Sequence, residues 1–225
     1  MRMYLSSYRL GHHVDRLFAL VDEPRRVSVI ANALDFIPDE ARERYEATVY
    51  SPLSELAELG ATPEYLDLRR YFGNPRALEQ ALKQVDLVWV LGGNAFLLRR
   101  AMRQSGFDDI IRKMLHDDNI AYGGFSAGAV VAASTLRGID LMDDPDQLAS
   151  GYDPAVVWDG LDLVDFSIVP HYRSNHDEAE AAEKAVSFFE AKGLPFRAIR
   201  DGDAVLVEGN VVSLLSDQHD RESMS

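Results

Sequence analysis

The chain has 225 residues, a formal net charge of −14 and no cysteine. The acidity disfavours a nucleic-acid partner, because phosphate recognition needs a cationic surface. The missing thiols remove disulfides, thiolate metal sites and cysteine nucleophiles together. Hydrophobic residues at 47% and charged residues at 27% are ordinary for a globular chain with a sizeable core. The first residues, Met1-Arg-Met-Tyr-Leu-Ser-Ser7, lack the apolar core of a signal peptide, and no run approaches the ~18 apolar residues of a spanning helix. The expectation is a cytoplasmic protein with no membrane partner.

In chain order, short apolar runs alternate with amphipathic stretches, the pattern of an α/β fold on a mostly parallel sheet with helices on both faces. Strands are expected over 3–6, 27–31, 65–68, 87–91 and 120–124. Helices are expected over 14–21, 40–59, 75–84, 96–104 and 108–116. The run Leu87-Val-Trp-Val-Leu91 is apolar throughout and reads as a central strand covered on both faces. Asn74-Pro75 supplies a cap and a proline at the first helical position. Residues 141–159, rich in Asp, read as a long loop of the kind that is often functional, here as a cover over a recessed site. Beyond it, 166–169 is a strand and 178–191 a helix. Short strands follow at 197–200, 204–208 and 211–215, the last two joined at the turn Glu208-Gly209-Asn210. The domain is expected to run over 1–215, with 216–225 as a polar tail.

Gly124-Phe-Ser-Ala-Gly128 fits the G-x-S-x-G nucleophile elbow. A serine on a sharp strand-to-helix turn is held in a strained backbone, and the flanking glycines let neighbouring segments approach. The apolar strand before Ser126 and the small-residue helix expected over 127–133 supply the required context. That helix would aim its first amides at the oxyanion of an attacked carbonyl.

A serine hydroxyl needs a base, and the base an orienting carboxylate. Of six histidines, His171 stands apart because it follows Ser167-Ile-Val-Pro170 at the C-terminal end of a strand, where α/β sheets collect functional groups. His12, His13, His116, His176 and His219 lie in a helix start, helix ends or the tail. Asp140 and Asp201 are the candidate orienting carboxylates. Gly92-Gly93-Asn94 either sets a backbone N–H opposite the elbow, completing an oxyanion hole with Ala127, or is a helix start capped by Asn94.

Taken in order, Ser6-Ser-Tyr-Arg-Leu-Gly11, Leu91-Gly-Gly-Asn94, Gly124-Phe-Ser-Ala-Gly-Ala129, Val169-Pro-His-Tyr172 and Ile199-Arg-Asp-Gly202 resemble the peptidase E (aspartyl dipeptidase) family of serine peptidases. The resemblance implies a class I glutamine amidotransferase-like, flavodoxin-like fold with short antiparallel strands near the C-terminus. It implies Ser126 as nucleophile, His171 as general base, and Gly93 and Ala127 as oxyanion donors. Asp201 falls where the family has a glutamate in a Glu-Gly turn and is favoured as third member; Asp140, which matches with a one-residue gap, is the alternative. Arg137 aligns with a family arginine and, with Asn94, is carried as a substrate-binding candidate. The implied substrate is a dipeptide or short peptide, Asp-Xaa among the options, with no cofactor and no metal. A broader aminopeptidase, a cyanophycinase-like hydrolase and an inactive binding protein are the alternatives. The fold class allows a homodimer, and nothing in the sequence locates an interface.

Overall fold

The computed structural model describes residues 1–217; His219 and most of the expected tail, 218–225, lie outside the described residues. Among the described residues, nine strands form two sheets. The larger has the order β3-β2-β4-β5-β1-β8-β9, built from β1 (Arg2–Ser6), β2 (Arg26–Ile30), β3 (Thr62–Tyr65), β4 (Leu87–Val90), β5 (Ala121–Phe125), β8 (Ala204–Glu208) and β9 (Val211–Leu215). β1 to β5 run parallel, and β8 and β9 add antiparallel to β1. The smaller sheet pairs β6 (Ser167–Val169) with β7 (Phe196–Ala198) in parallel. No helix among the described residues is long and apolar enough to cross a membrane.

Side chains alternate across a strand, and the core divides accordingly. Met3, Leu5, Val88, Val90 and Tyr122 join a larger cluster on one face of the sheet. Tyr4, Leu87, Trp89 and Ala121 join a smaller cluster on the other. The larger face is covered by α5 (Ala95–Ser105), α6 (Phe107–His116) and α8 (Ala179–Lys192), together with α4 (Pro75–Leu82). The smaller is covered by α1 (Val14–Phe18) and α3 (Pro52–Glu58).

Four expectations need correction. The helix expected over 40–59 is two helices, α2 (Asp39–Thr48) and α3, because Pro52 forces Ser51 into an extended conformation (φ −114°, ψ 111°). Ser51 then caps α3 by accepting the Ser54 N–H at 3.2 Å. The third strand lies earlier than expected, at the sheet edge, where Pro63 has no ladder bond to give. The strand near 197–200 joins β6 in parallel rather than the antiparallel group. The helix after Ser126, α7 (Ala127–Val130), stops after four residues. The carbonyls of Val131, Ala132 and Ala133 are taken instead by the N–H groups of Leu161, Leu163 and Asp162.

Two buried arginines hold the 141–159 loop. Arg100 donates to the carbonyls of Pro145, Gln147, Asp153 and Pro154, and Arg99 donates to that of Asp159 while pairing with Asp108 at 2.7 Å. A guanidinium suits this task because its donors fan out in a plane.

Candidate active site

Parallel strands deliver their C-terminal ends to one edge of a sheet, and here that edge collects the site. β1 ends at Ser6-Ser7, β4 at Leu91-Gly92-Gly93, and β5 at Ser126. Ser126 is held at φ 48° and ψ −117°, a strained conformation for a residue with a Cβ. Its N–H, shared between the carbonyls of Ser7 (3.1 Å) and Ser6 (3.3 Å), pins the elbow to the end of β1. Behind it, the Tyr122 hydroxyl donates to the carbonyl of Gly128 at 2.6 Å.

Glycine is required at 128 because a Cβ there would stand 2.2 Å from the carbonyl oxygen of Val90. That contact is with backbone and cannot be relieved by a rotamer change. Gly128→Ala should therefore destabilise the protein by more than ~3 kcal/mol, read as a large fall in melting temperature or loss of soluble protein. A melting temperature equal to wild type would contradict the packing described for the elbow. At Gly93, φ is 131° and a Cβ would meet the Ala33 carbonyl at 2.6 Å, so this loop too is shaped for glycine. Neither the Gly93 nor the Ala127 N–H donates to a backbone carbonyl among the described residues.

His171 and Asp201 are brought together by the smaller sheet. Val169 of β6 pairs with Ala198 of β7, and each chain then runs a few residues past the sheet on the same side. The pairing continues through Ile199 N–H to Val169 O and Tyr172 N–H to Ile199 O. His171 is buried, and its Nδ1 lies 2.8 Å from Asp201 Oδ1. With a carboxylate facing Nδ1, that nitrogen carries the proton and Nε2 is left as the basic atom. Burial acts against the Asp201 carboxylate. Hydrogen bonds from His171 and Ser7, with the charges of His171 and His176, outweigh it and hold the group below its usual range.

Ser7 was not singled out by sequence reasoning. Its hydroxyl donates to Asp201 Oδ1 at 2.8 Å and accepts the His171 N–H at 2.8 Å, tying both to the end of β1. Ser174 adds a second tie by accepting the Asp201 N–H at 2.9 Å. His176 was likewise passed over. Its ring stacks on His171 with centroids 3.7 Å apart and planes 6° from parallel, and Tyr8 meets both rings edge-on. The repeated serines of the first motif and a second histidine five residues after His171 were the available signals.

Ser126 and His171 line one cavity of about 370 Å³ with Gly92 and Gly93. Its outer wall is α2 and the segment after it, through Tyr45 and Tyr50, with Tyr8 and Phe125 nearer the serine. The 141–159 loop contributes no lining residue, so the expected cover over the site is absent; the buried arginines draw that loop towards α5 instead. Arg9 lies over the Tyr50 ring at 4.0 Å, and Arg42 pairs with Asp35 at 2.9 Å.

Three candidates fall elsewhere. Asp140 is exposed, accepts the Gly138 N–H at 2.8 Å, and makes no contact with His171. Arg137 stacks over Trp158 at 4.9 Å and lines a different cavity. Asn94 uses its whole amide structurally: Oδ1 caps α5 through Leu97 N–H at 2.8 Å and Nδ2 donates to Asp144 O at 2.9 Å. That second bond also draws the loop residues that follow Asp140 over the start of α5.

His171, His176 and Glu178 present one potential ligand atom each within 4.8 Å of one another. The parallel rings aim their in-plane lone pairs side by side rather than at a common point. His176 Nδ1 already accepts the Glu178 N–H at 3.2 Å. The stacked parallel rings of this cluster do not converge on a single point, as tetrahedral ligation requires.

Next to it, Asp143 accepts the N–H of Ala95 at 2.8 Å, the first residue of α5. Burial and the charge of Glu178 push its carboxyl up to about 7, against the opposing pull of Ala95 N–H and His171. The unfolded chain loses this proton near pH 4, so ionising the folded group costs stability as pH rises from about 4 to 7. Asp143→Asn, which keeps an acceptor for Ala95, should raise the melting temperature by at least roughly 4 °C at pH 8 and leave it unchanged at pH 4. Equal melting curves at both pH values would show that Asp143 titrates normally.

The model of peptidase family S51 matches residues 23–215. The chain belongs to this family. It is by that membership a serine peptidase. A Drosophila melanogaster protein named "Probable alpha-aspartyl dipeptidase" is 34% identical over 146 residues, 63% of this chain and 58% of that protein. "Peptidase E" of Streptomyces coelicolor is 30% identical over 146 residues, 61% of this chain and 54% of that one. The match therefore spans a little over half the length of these two relatives. Among solved structures, a candidate peptidase E protein of Listeria monocytogenes EGD-e superposes with a TM-score of 0.76 at 26% identity, covering 96% of this chain and 98% of that one.

Proposed function

We propose that this S51 peptidase hydrolyses dipeptides or short peptides at their N-terminal end through Ser126, His171 and Asp201 and an acyl-enzyme. The observation that carries the reading is the His171 Nδ1–Asp201 Oδ1 contact of 2.8 Å behind a cavity that also contains the strained Ser126. His171 Nε2 takes the Ser126 proton as the hydroxyl attacks the scissile carbonyl. The N–H groups of Gly93 and Ala127 face the oxyanion, each worth roughly 3–4 kcal/mol in comparable sites. The imidazolium, held by Asp201, then protonates the departing amine, and water releases the acyl group by the same steps in reverse.

The cavity supports a side-chain preference broader than Asp-Xaa. Its walls carry Leu34, Ile37, Tyr45 and Tyr50, and its two arginines are stacked on tyrosine or paired with Asp35. Arg137, the candidate anchor for an aspartate side chain, lines another cavity. A fluorophosphonate probe should label Ser126, and a dipeptide library should show turnover on apolar N-terminal residues at least equal to that on Asp-Xaa. Labelling elsewhere would remove the nucleophile assignment. Cleavage of β-aspartyl-arginine alone would move the protein to a cyanophycinase-like activity, and inertness towards probe and peptides would leave a binding protein.

A further inference from the structure

Glu178 occupies the side of His171 opposite Asp201. Its Oε2 stands 3.7 Å from Nε2, its side chain is 43% exposed, and it lines the cavity that holds Ser126. Among the described residues, no lysine or arginine lies within ion-pair reach of it, and the group it faces is His171 Nε2. The other carboxylate of the cavity, Glu46, is engaged with Tyr65 on the far wall. Asp143 lies behind Glu178 near enough for the two charges to repel, so a cation arriving at Glu178 relieves both.

We propose that Glu178 receives the free α-ammonium of the residue whose carbonyl Ser126 attacks. The assignment rests on the peptidase reading above and names the group that makes the enzyme act at a free N-terminus. The distances fit. Proton transfer brings Nε2 within about 3 Å of the serine hydroxyl. A carboxylate 3.7 Å from that same nitrogen then lies no more than about 7 Å from the hydroxyl. The α-nitrogen is two bonds from the attacked carbon, about 2.5 Å, which sets it between the two. A charge-assisted hydrogen bond spans what remains, at about 2.8 Å. An N-acylated peptide offers a neutral amide in place of the ammonium and leaves the Glu178 carboxylate facing it without a counter-charge.

The test compares kcat/KM for Ala-Ala and N-acetyl-Ala-Ala, and for Leu-Ala and N-acetyl-Leu-Ala, in wild type and Glu178→Gln, with fluorophosphonate labelling of Ser126 in both proteins. Wild type should prefer the free amine by about 100-fold or more. Glu178→Gln should reduce that preference to less than about 5-fold, chiefly through a higher KM for the free dipeptide, while Ser126 still takes the probe. Equal cleavage of free and acetylated peptides by wild type overturns the proposal and leaves the peptidase reading standing. So does a Glu178→Gln variant that loses both substrates in equal proportion, which would show Glu178 acting through His171. Wild-type protein that neither cleaves nor labels overturns the peptidase reading and this proposal with it.

Discussion

Ser126→Ala should reduce dipeptide turnover by about 10⁶, to the residual rate of a site with binding and oxyanion donors alone. The expected loss is that large because the hydroxyl is the atom that forms the acyl bond, and no other group in the cavity can replace it at neutral pH. Folding should be untouched. The Ser126 hydroxyl makes no hydrogen bond among the described residues, and the elbow is held through backbone atoms: N–H to the carbonyls of Ser6 and Ser7, and C=O from Ala129 and Val130. Alanine keeps the Cβ, so the strain at φ 48° is the same in both proteins. Stability should stay within about 0.5 kcal/mol. Turnover and a thermal melt on the same preparation check both halves. Wild-type turnover would place the nucleophile elsewhere, and a fall of many degrees in the melt would mean the loss of activity reports on folding.

Much of the frame was legible because short apolar runs are unambiguous when both sheet faces are covered. β4 and β5 lie at the centre of the sheet, and their residues alternate between two clusters, so neither face could be polar. The elbow was legible for a different reason: the Val90 carbonyl leaves no room for a Cβ at Gly128, and a close backbone approach of that kind admits only glycine. The pairing of β6 with β7 imposes no such requirement. Each strand has three residues, and they lie nearly thirty residues apart with a helix between them. Without that pairing, Asp201 and Asp140 were both available to His171. Ser7 was hidden because a serine that ties two catalytic groups looks like any serine at a strand end, and its role exists only once β1, β6 and β7 converge. Arg137 misled in the opposite way. A position can match a family arginine while an adjacent tryptophan, Trp158 in space, turns the guanidinium to another surface.

The Ser7 contact also grades the outcome at the third position of the site. Asp201→Ala should lower kcat by about 10⁴, the scale seen when the orienting acid of a serine triad is removed. Both the orientation of the imidazole and the charge opposite the imidazolium are lost. Asp201→Asn should cost less here, about 10²-fold. His171 Nδ1 and the Ser7 hydroxyl both address the same oxygen, Oδ1, at 2.8 Å. An asparagine that turns its carbonyl to that point satisfies two donors at once, whereas its NH₂ would face two donors and lose both bonds. Ser7 therefore selects the amide orientation that keeps the proton on Nδ1 and Nε2 basic, and what Asp201→Asn removes is mainly the charge. Adding Ser7→Ala to Asp201→Asn should cost a further tenfold or more, beyond what Ser7→Ala costs in the wild-type background, because the amide is then free to flip. Asp140→Asn, at an exposed turn whose Oδ1 serves only the Gly138 N–H, should keep kcat within about twofold. Steady-state kinetics on one dipeptide for these variants resolves the order. Equal losses for Asp201→Ala and Asp201→Asn would mean that the amide has already flipped and that Ser7 does not govern the tautomer; a large loss at Asp140 would return the third position to that residue.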